Sequence, residues 1–461
     1  MTPPLRIAVV GHTNTGKTSL LRTLTRDAGF GEVSSRPGTT RHVEGARLLV
    51  DGEALVELYD TPGMEDPIAL LESLEAIAPH GEARLDGPAR IERFLAGEQA
   101  QWRFEQEAKV LRRLLASEAA FYVIDARDPV LAKYRDELAI LSGCAIPLLP
   151  VLNFVRDAAA NETAWREALA RQGLHAVVRF DTVAPGRDGE RRLYEALATL
   201  LDAWRPVLER LVAHREDEAR TRHGAALEVV AELLIDVAAA RVAVPAEPDA
   251  AVRAAIADLH ERVRRREQAG VEALLALYRF NAQDLDAAHL PLLDGRWETD
   301  LFHPDAVRAM GVKLGTGAAA GAAAGLGVDL MVGGLTLGAA AALGALAGGG
   351  WQALRHYGDR LLDRLRGQRE LSVDDATLRL LALRGLHLVQ ALEARGHAAV
   401  TPIAPCDSDL RTWREGALPD VVRGARTHPE WSGLFGAVHA DADRNDAVRA
   451  LAALLAEPRE R

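Results

Sequence analysis

The chain has 461 residues, more than one ordinary hydrophobic core accommodates, which predicts two or three domains. Hydrophobic residues make up 48% and charged residues 26%, a composition that excludes an intrinsically disordered chain. Lys and Arg number 55 against 66 Asp and Glu, a formal net charge of −11, which argues against bulk electrostatic binding to nucleic acid. Two cysteines, Cys144 and Cys406, are too few for a disulfide framework and indicate a reducing compartment such as the cytoplasm.

The first part of the chain, residues 1–205, alternates short apolar runs with helical stretches. This pattern predicts an α/β fold with a mostly parallel sheet and helices on both faces. The predicted strands are Leu5–Val10, Val43–Val50, Ala54–Tyr59, Ala119–Ile124, Ile146–Leu152 and Ala176–Phe180. Asp51 and Gly52 are typical of a tight hairpin turn, so the second and third strands are expected to pair antiparallel at one sheet edge. A charged helical pattern over about residues 64–113 predicts a helical insert in this domain.

A glycine-rich loop follows the first predicted strand and precedes an amphipathic helix. In order it consists of Gly11, His12, Thr13, Asn14, Thr15, Gly16, Lys17 and Thr18, followed by Ser19. The pattern G-x-x-x-x-G-K-[ST] in this context predicts a phosphate-binding loop whose backbone amides surround nucleotide phosphates. Lys17 is then expected to reach the β- and γ-phosphates, and the Thr18 hydroxyl is expected to bind Mg²⁺.

Two downstream segments fall where a nucleotide triphosphatase needs them. Asp60, Thr61, Pro62 and Gly63 end the third predicted strand, which places Asp60 near the metal and the Gly63 amide near the γ-phosphate. The segment 37–41, Pro-Gly-Thr-Thr-Arg, lies between the first helix and the second strand. Its Thr40 is expected to close over the Mg²⁺ ion.

Residues 5–200 resemble the Era/TrmE/EngA branch of the P-loop GTPases, on GHTNTGKTSL, RPGTTRH and DTPG. The resemblance implies phosphate binding from Asn14 to Ser19, metal contact by Thr18, Thr40 and Asp60, and catalytic roles for Lys17, Thr40 and Gly63. Relatives hold K⁺ with an asparagine at the position of Asn14, which makes this residue a candidate K⁺ ligand; bracing of the loop is the alternative. Met64 follows Gly63 and cannot orient the attacking water through a polar group.

Guanine recognition in that branch uses an Asn-Lys-x-Asp run after the fifth strand. Here Asn153 takes the asparagine position, Phe154 the lysine position and Arg156 the aspartate position, while Asp157 stands one residue late. A guanidinium cannot accept hydrogen bonds. Base recognition therefore requires Asp157 to turn inward with Phe154 stacking on the base, or guanine selectivity is lost. The run Phe180–Thr182 stands where relatives carry a Ser-Ala-Lys loop.

The remaining chain is predicted to be all-α, with helical domains over 206–312 and 352–461. Between them, Leu314 to Gly350 is a run of 37 residues with one charge, Asp329, and with glycines recurring at every fourth residue. Within the span 313–351 we expect a Gly/Ala-rich helical hairpin that either enters a membrane or packs as a soluble helix pair. The layout resembles bacterial GTPases with a C-terminal domain of unknown function.

These observations predict a GTPase that hydrolyses GTP to GDP and phosphate as a molecular switch, with Mg²⁺ and, if Asn14 binds it, K⁺. The expected location is the cytoplasm, at the cytoplasmic face of the inner membrane through residues 314–350. A homodimer and an unidentified protein effector are the partners to test. Two alternatives stay open: a non-catalytic, nucleotide-stabilised membrane scaffold, and a ribosome- or RNA-assembly GTPase, which the acidic charge balance disfavours.

Overall fold

The structure of the protein is a computed structural model. It describes residues 3–26, 44–77, 85–183, 185–186, 188–245, 248–280, 292–293, 296–297, 299–303, 305–306, 310, 328–331, 368–394, 411–414, 417–438 and 441–456. The chain forms two compact units, the first from Met1–Arg220 with Glu393–Pro402 and the second from Thr221–Leu392 with Ile403–Arg461.

The first unit contains, among its described residues, a six-stranded sheet. Its strands are β1 (Leu5–Val10), β2 (Glu44–Val50), β3 (Glu53–Asp60), β4 (Ala119–Asp125), β5 (Leu148–Asn153) and β6 (Val178–Arg179). The spatial order is β2-β3-β1-β4-β5-β6, and every neighbouring pair is parallel except the β2–β3 hairpin. At the hairpin, Asp51 and Gly52 take positive φ angles of 51° and 82°, as the predicted tight turn requires.

Both faces of this sheet are buried, which explains why its central strands are almost wholly apolar. Ile7 and Val9 of β1 point into one core, whereas Ala8 and Val10 point into the other. The helices of this unit are α1 (Lys17–Thr25), α2 (Pro67–Glu75), α3 (Gly87–Leu95), α4 (Glu105–Leu115), α5 (Ala132–Ser142), α6 (Glu162–Arg171) and α7 (Gly189–Leu200). Helices α1 and α7 cover the first core, and α2 to α6 cover the second. The helical insert predicted around residues 64–113 corresponds to α2, α3 and α4.

The second unit is largely helical. Helix α8 (Arg205–Ala239) spans the boundary between the units, and α9 (Asp249–Leu277), α10 (Asp375–Ala394), α11 (Arg411–Arg414), α12 (Asp420–Ala425) and α13 (Ala442–Ala456) follow it. One apolar cluster joins residues from α8, α9, α10, α12 and α13.

The predicted helical C-terminal region is confirmed as largely helical, and short strands lie among its helices. Strands β7 (Arg241–Pro245), β8 (Leu292–Leu293), β9 (Arg296–Trp297), β10 (Val328–Met331) and β11 (Gln368–Val373) are formed there. Strand β11 pairs antiparallel with both β7 and β10, and β8 pairs with β9. Strands β7 and β11 pair across more than a hundred residues, so their pairing leaves no periodic signal in the local sequence. A strand of five residues between long helices is also too short to be distinguished from helical sequence by its pattern.

The apolar block of residues 314–350 is described only at Val328–Met331, and the rest lies outside the described residues. These four residues form β10 and not part of a helical hairpin, since Asp329 pairs with Ser372 in the antiparallel register. Among the helices the structure describes, none combines the length and apolar character that a membrane span needs.

Candidate nucleotide-binding site

The loop of residues 11–18, called the P-loop below, contains three residues with positive φ angles, a conformation that favours glycine and asparagine. Gly11 and Gly16 take φ angles of 142° and 93°, and Asn14 takes 65°. A Cβ atom added to Gly11 would lie 2.3 Å from the carbonyl oxygen of Val123, and one added to Gly16 would lie 2.3 Å from the Asn153 side-chain nitrogen. Both glycines are therefore required by close packing against β4 and β5 as well as by their φ angles.

Lys17 is buried and its ammonium group lies within the curve of the P-loop. Its Nζ donates to the carbonyl oxygens of Gly11 at 2.9 Å and His12 at 2.8 Å. An ammonium has three hydrogens, so a third remains for a phosphate oxygen. Burial lowers the pKa of Lys17, while the charges of Asp60 and Glu137 oppose that shift and favour the charged form.

The P-loop leads directly into α1, whose first turn adds an anion-binding feature. Gly16 is the N-terminal cap, and the first intrahelical bond runs from the Leu20 amide to the Gly16 carbonyl at 2.8 Å. The amides of residues 17–19 precede this bond, so they project from the positive end of the helix toward an anion.

Thr18 and Asp60 form the part of the site that suits a magnesium ion. The Thr18 hydroxyl donates to Asp60 Oδ2 at 2.5 Å, and Asp60 is buried at the end of β3. A hydroxyl and a carboxylate are hard oxygen donors of the kind that Mg²⁺ prefers, and Mg²⁺ commonly takes only one or two protein ligands beside phosphates. The donor set therefore fits Mg²⁺.

The segment after β3 packs against the P-loop. Thr61 Oγ1 donates to the Val9 carbonyl at 2.7 Å, which fixes the segment to β1. A Cβ on Gly63 would lie 2.6 Å from Thr13 Oγ1 and 2.8 Å from the Thr13 amide nitrogen, so Gly63 and Thr13 are in close contact. Met64 is buried in the core beneath α2, and its side chain carries no polar group that could orient a water molecule.

Asn153 joins three loops of the site. Its Nδ2 donates to the Thr15 carbonyl at 3.0 Å, and its Oδ1 accepts from the Thr182 amide at 2.9 Å and the Thr182 hydroxyl at 3.1 Å. The side chain is fully buried. Asn153 therefore holds the P-loop and the loop after β6 in fixed relation.

Phe154 follows Asn153 with a positive φ of 55°. Its ring stacks under the Arg127 guanidinium at 4.1 Å, and Arg127 forms two hydrogen bonds with Asp125 at 2.9 and 2.7 Å. The ring also lies beside the P-loop, since its Cζ is 3.6 Å from where a Cβ on Gly16 would stand. An aromatic face is thus presented next to the phosphate-binding loop and supported from behind.

A buried polar group lies behind the P-loop, on α5. Glu137 is fully buried, accepts a 3.4 Å hydrogen bond from the Tyr122 hydroxyl, and lies 3.9 Å from His12 Nδ1. Burial raises the pKa of Glu137 to about 7, against the attraction of Lys17. Burial, together with the charges of Lys133 and Lys17, lowers the pKa of His12 to about 4, so the contact with Glu137 is not an ion pair at neutral pH. Lys133 Nζ lies 2.8 Å from His12 Nε2.

The structure brings most of the predicted residues together. The set in one place comprises Gly11, His12, Thr13, Asn14, Thr15, Gly16, Lys17, Thr18, Ser19, Asp60, Thr61, Pro62, Gly63, Asn153 and Phe154. Thr40 lies outside the described residues. The roles of individual residues in binding and catalysis stay predictions. Glu137 was not foreseen, because a single acidic residue on a helix carries no signal of its own.

Family models match the two parts of the chain. A model described as "50S ribosome-binding GTPase" matches residues 6–153. A second, described as "Domain of unknown function (DUF3482)", matches residues 166–453, which is more than half of the chain. The chain belongs to the DUF3482 family.

Similar proteins were found for the N-terminal part of this DUF3482 protein. "Probable GTP-binding protein EngB" from Jannaschia sp. (strain CCS1) is 25% identical over 201 residues, which cover 42% of this chain and 78% of the relative. An Aquifex aeolicus Era variant bound to GDP·AlF4⁻ is 19% identical with a TM-score of 0.28, over 38% of this chain and 50% of that one. Era in complex with MgGDPNP and a 16S ribosomal RNA fragment is 16% identical with a TM-score of 0.28, over 40% and 52%. The chain thus spans about half the length of these Era chains.

The GTPase model that matches residues 6–153 and the similarity to the EngB relative agree with the P-loop geometry, and they indicate that the N-terminal part is a P-loop GTPase domain. This domain is joined in one chain to the DUF3482 region.

Proposed function

We propose that this DUF3482 protein is a Mg²⁺-dependent molecular switch that cycles between GTP- and GDP-bound forms. The observation that carries the proposal is the contact between Gly63 and Thr13, which places the segment after β3 directly against the phosphate-binding loop. A segment in that position responds to the presence or absence of a γ-phosphate, because the phosphate occupies the same loop.

The chain's own residues supply the binding of the triphosphate. The amides at the start of α1 and the Lys17 ammonium hold the β- and γ-phosphates and stabilise the negative charge that builds up as the bond to the γ-phosphate breaks. Thr18 and Asp60 would hold Mg²⁺, which when bound neutralises phosphate charge. Because Met64 is buried and apolar, a group other than the residue after Gly63 has to position the attacking water.

Hydrogen bonds join this segment to the helical insert and provide a route by which the nucleotide state can reach an effector. Glu107 of α4 is buried, and its Oε1 accepts from the amides of Glu65 at 3.0 Å and Asp66 at 3.1 Å. A displacement of residues 63–66 therefore pulls directly on α4. We propose that the insert transmits the nucleotide state to an effector.

The test is multiple-turnover phosphate release by the full chain. The wild type with Mg²⁺ is expected to release phosphate over many turnovers, Lys17→Ala is expected to abolish release, and the matched variant Lys109→Ala, a lysine of α4, is expected to leave it unchanged. Nucleotide binding without release above the Lys17→Ala background would favour the alternative of a non-catalytic, nucleotide-stabilised scaffold. Repeating the assay in K⁺ and in Na⁺ tests the proposed role of Asn14.

Association with the cytoplasmic face of the inner membrane is a second proposal, and the composition of residues 314–350 supports it. Thirty-seven residues with one charge have basic residues on both sides, which keeps both ends on one side of a bilayer. Flotation of the full chain with anionic liposomes, in GTP analogue, GDP and no nucleotide, tests it. Failure to float in all three states overturns the proposal, and flotation that depends on nucleotide identifies a switched anchor.

A ribosomal effector is a third candidate, because the matching GTPase model is described as ribosome-binding. The net charge of −11 argues against general RNA affinity. Co-sedimentation of the protein with ribosomes in GTP analogue but not in GDP would support this effector. Equal recovery of the protein in the pellet when ribosomes are left out would contradict it.

A further inference from the structure

Because Arg156 stands where the base-binding aspartate is expected, a different residue has to recognise the base. Arg156 is exposed and carries a group with donors only. The sequence candidate Asp157 is also exposed, and its Oδ1 accepts from the Ala159 amide at 2.9 Å, so its carboxylate caps its own turn. That use is an ordinary Asx turn. Neither residue presents a buried acceptor to a base.

A different carboxylate, that of Asp181, lies next to residue 156. Asp181, in the loop after β6, is only 7% exposed. Its Oδ1 accepts from the Val183 amide at 3.0 Å, an Asx turn like that of Asp157, but Asp181 is buried and its Oδ2 also accepts from the Arg156 backbone amide at 3.4 Å. The Asp181 carboxylate therefore lies against the backbone of Arg156, the position at which an aspartate is expected. An ionised carboxylate has about four acceptor sites, so about two remain for a ligand.

The loop that carries Asp181 is fixed relative to the phosphate site. Thr182 is bound through its amide and hydroxyl to Asn153, which also binds the P-loop. The Thr182 carbonyl in addition accepts from Thr23 Oγ1 of α1 at 3.1 Å. This bonding gives the carboxylate a defined distance from the phosphates. Such preorganisation is what base discrimination needs.

The Phe154 ring, supported by Arg127, completes the surroundings of the base. A purine stacked on this ring would have its edge within reach of groups from the loops after β5 and β6. Guanine presents two N–H donors on that edge, at N1 and at the 2-amino group, and a carboxylate accepts both. Adenine presents an acceptor at N1, which a carboxylate repels.

We propose that Asp181 is the guanine-specificity residue of this protein and replaces the aspartate that Arg156 has displaced. The proposal rests on the proposed GTP binding and deepens it. Two hydrogen bonds to a charged acceptor discriminate by at least about tenfold, so wild type binds GTP at least about tenfold more tightly than ATP. Asp181 is expected to set the ratio of the affinities for GTP and ATP, and not the affinity for nucleotides in general.

The experiment titrates the full chain with GTP, ATP and XTP in three forms: wild type, Asp181→Asn and the matched control Asp157→Asn. Asp181→Asn is expected to weaken GTP at least about tenfold, leave ATP within about twofold, and improve XTP, because the new amide N–H donates to the 2-oxo group of xanthine. Asp157→Asn is expected to keep the wild-type ratios.

Each other outcome counts against the proposal. If Asp157→Asn and not Asp181→Asn lowers the GTP/ATP ratio, Asp157 is the specificity residue. If Asp181→Asn weakens GTP and ATP equally, Asp181 only supports the loop. Equal GTP and ATP affinity in wild type means that no residue selects guanine. Wild type that binds no nucleotide refutes the proposed function itself, and that result is distinct from the other three.

Discussion

Glu137 gives the sharpest test of the electrostatics behind the P-loop. This fully buried carboxylate faces the Lys17 ammonium, His12 of the P-loop, the Tyr122 hydroxyl of β4, and Lys133 from its own helix. Burial raises its pKa from the ordinary 4.5 to about 7. We predict that Glu137→Gln, which fixes the side chain in an uncharged form of the same shape, makes the protein more stable at alkaline pH.

The size of the effect follows from proton linkage. Between pH 4.5 and about 7 the folded protein keeps a proton on Glu137 that the unfolded chain has released. Stability therefore falls as pH rises through this window and stays reduced above it. At about 1.4 kcal/mol for each pH unit that separates the folded and unfolded values, the full loss is about 3 kcal/mol. The Gln variant lacks this loss, so its stability relative to wild type increases by about 2–3 kcal/mol between pH 5 and pH 8.

The assay measures the free energy of unfolding of the first unit by hydrogen exchange of peptides covering β1 and β4, in urea titrations at pH 5 and pH 8. The exposed Glu195→Gln on α7 is the matched control, and its stability relative to wild type should change little between the two pH values. If Glu137→Gln shows the same difference from wild type at both pH values, Glu137 does not change its proton occupancy in this window and the reasoning fails.

Three further predictions concern the loops of the site. Asn153→Ala leaves a buried carbonyl and a buried amide without partners and should lower the free energy of unfolding by about 2–4 kcal/mol in a urea titration, and a loss below about 1 kcal/mol would contradict the bridging role. Gly63→Ala places a Cβ within 2.6–2.9 Å of Thr13, so it should weaken binding of a GTP analogue at least about tenfold by calorimetry, whereas Gly424→Ala, which meets no atom within 4 Å, should bind normally. Glu107→Gln should keep nucleotide affinity but reduce the protection of α4 against hydrogen exchange in the GTP-analogue state; unchanged protection would show that the insert does not follow the segment after β3.

The sequence predicts the nucleotide-binding half well, because its signals are local. The strand Leu5–Val10 is apolar except at Arg6 and leads directly into a glycine-rich loop, and the structure places β1 at the same residues. The Asp51–Gly52 turn predicts the β2–β3 pair from two residues alone. The P-loop pattern fixes both the residue types and the transition from strand to helix.

The parts that the sequence did not predict depend on contacts between distant residues. Asp181 meets the Arg156 amide across 25 positions, and the run Phe180–Thr182 shows only that the usual loop is missing there. Glu137 is one of several polar residues on α5, and its burial depends on contacts with Tyr122 and the P-loop that the local sequence does not show. Strand β7 has its partner β11 more than a hundred residues later, so the sequence around it predicts only the surrounding helices.

The central claim is that a guanine triphosphate binds at the amides that open α1, with Lys17 inside the P-loop. Isothermal titration calorimetry of the full chain with Mg·GTP tests it most directly, with Lys17→Ala measured in parallel. The account predicts one site per chain for wild type and an affinity at least about a hundredfold weaker in the variant, because several charge-assisted hydrogen bonds to phosphate are lost. No heat of binding for wild type, or equal binding by both proteins, would contradict it.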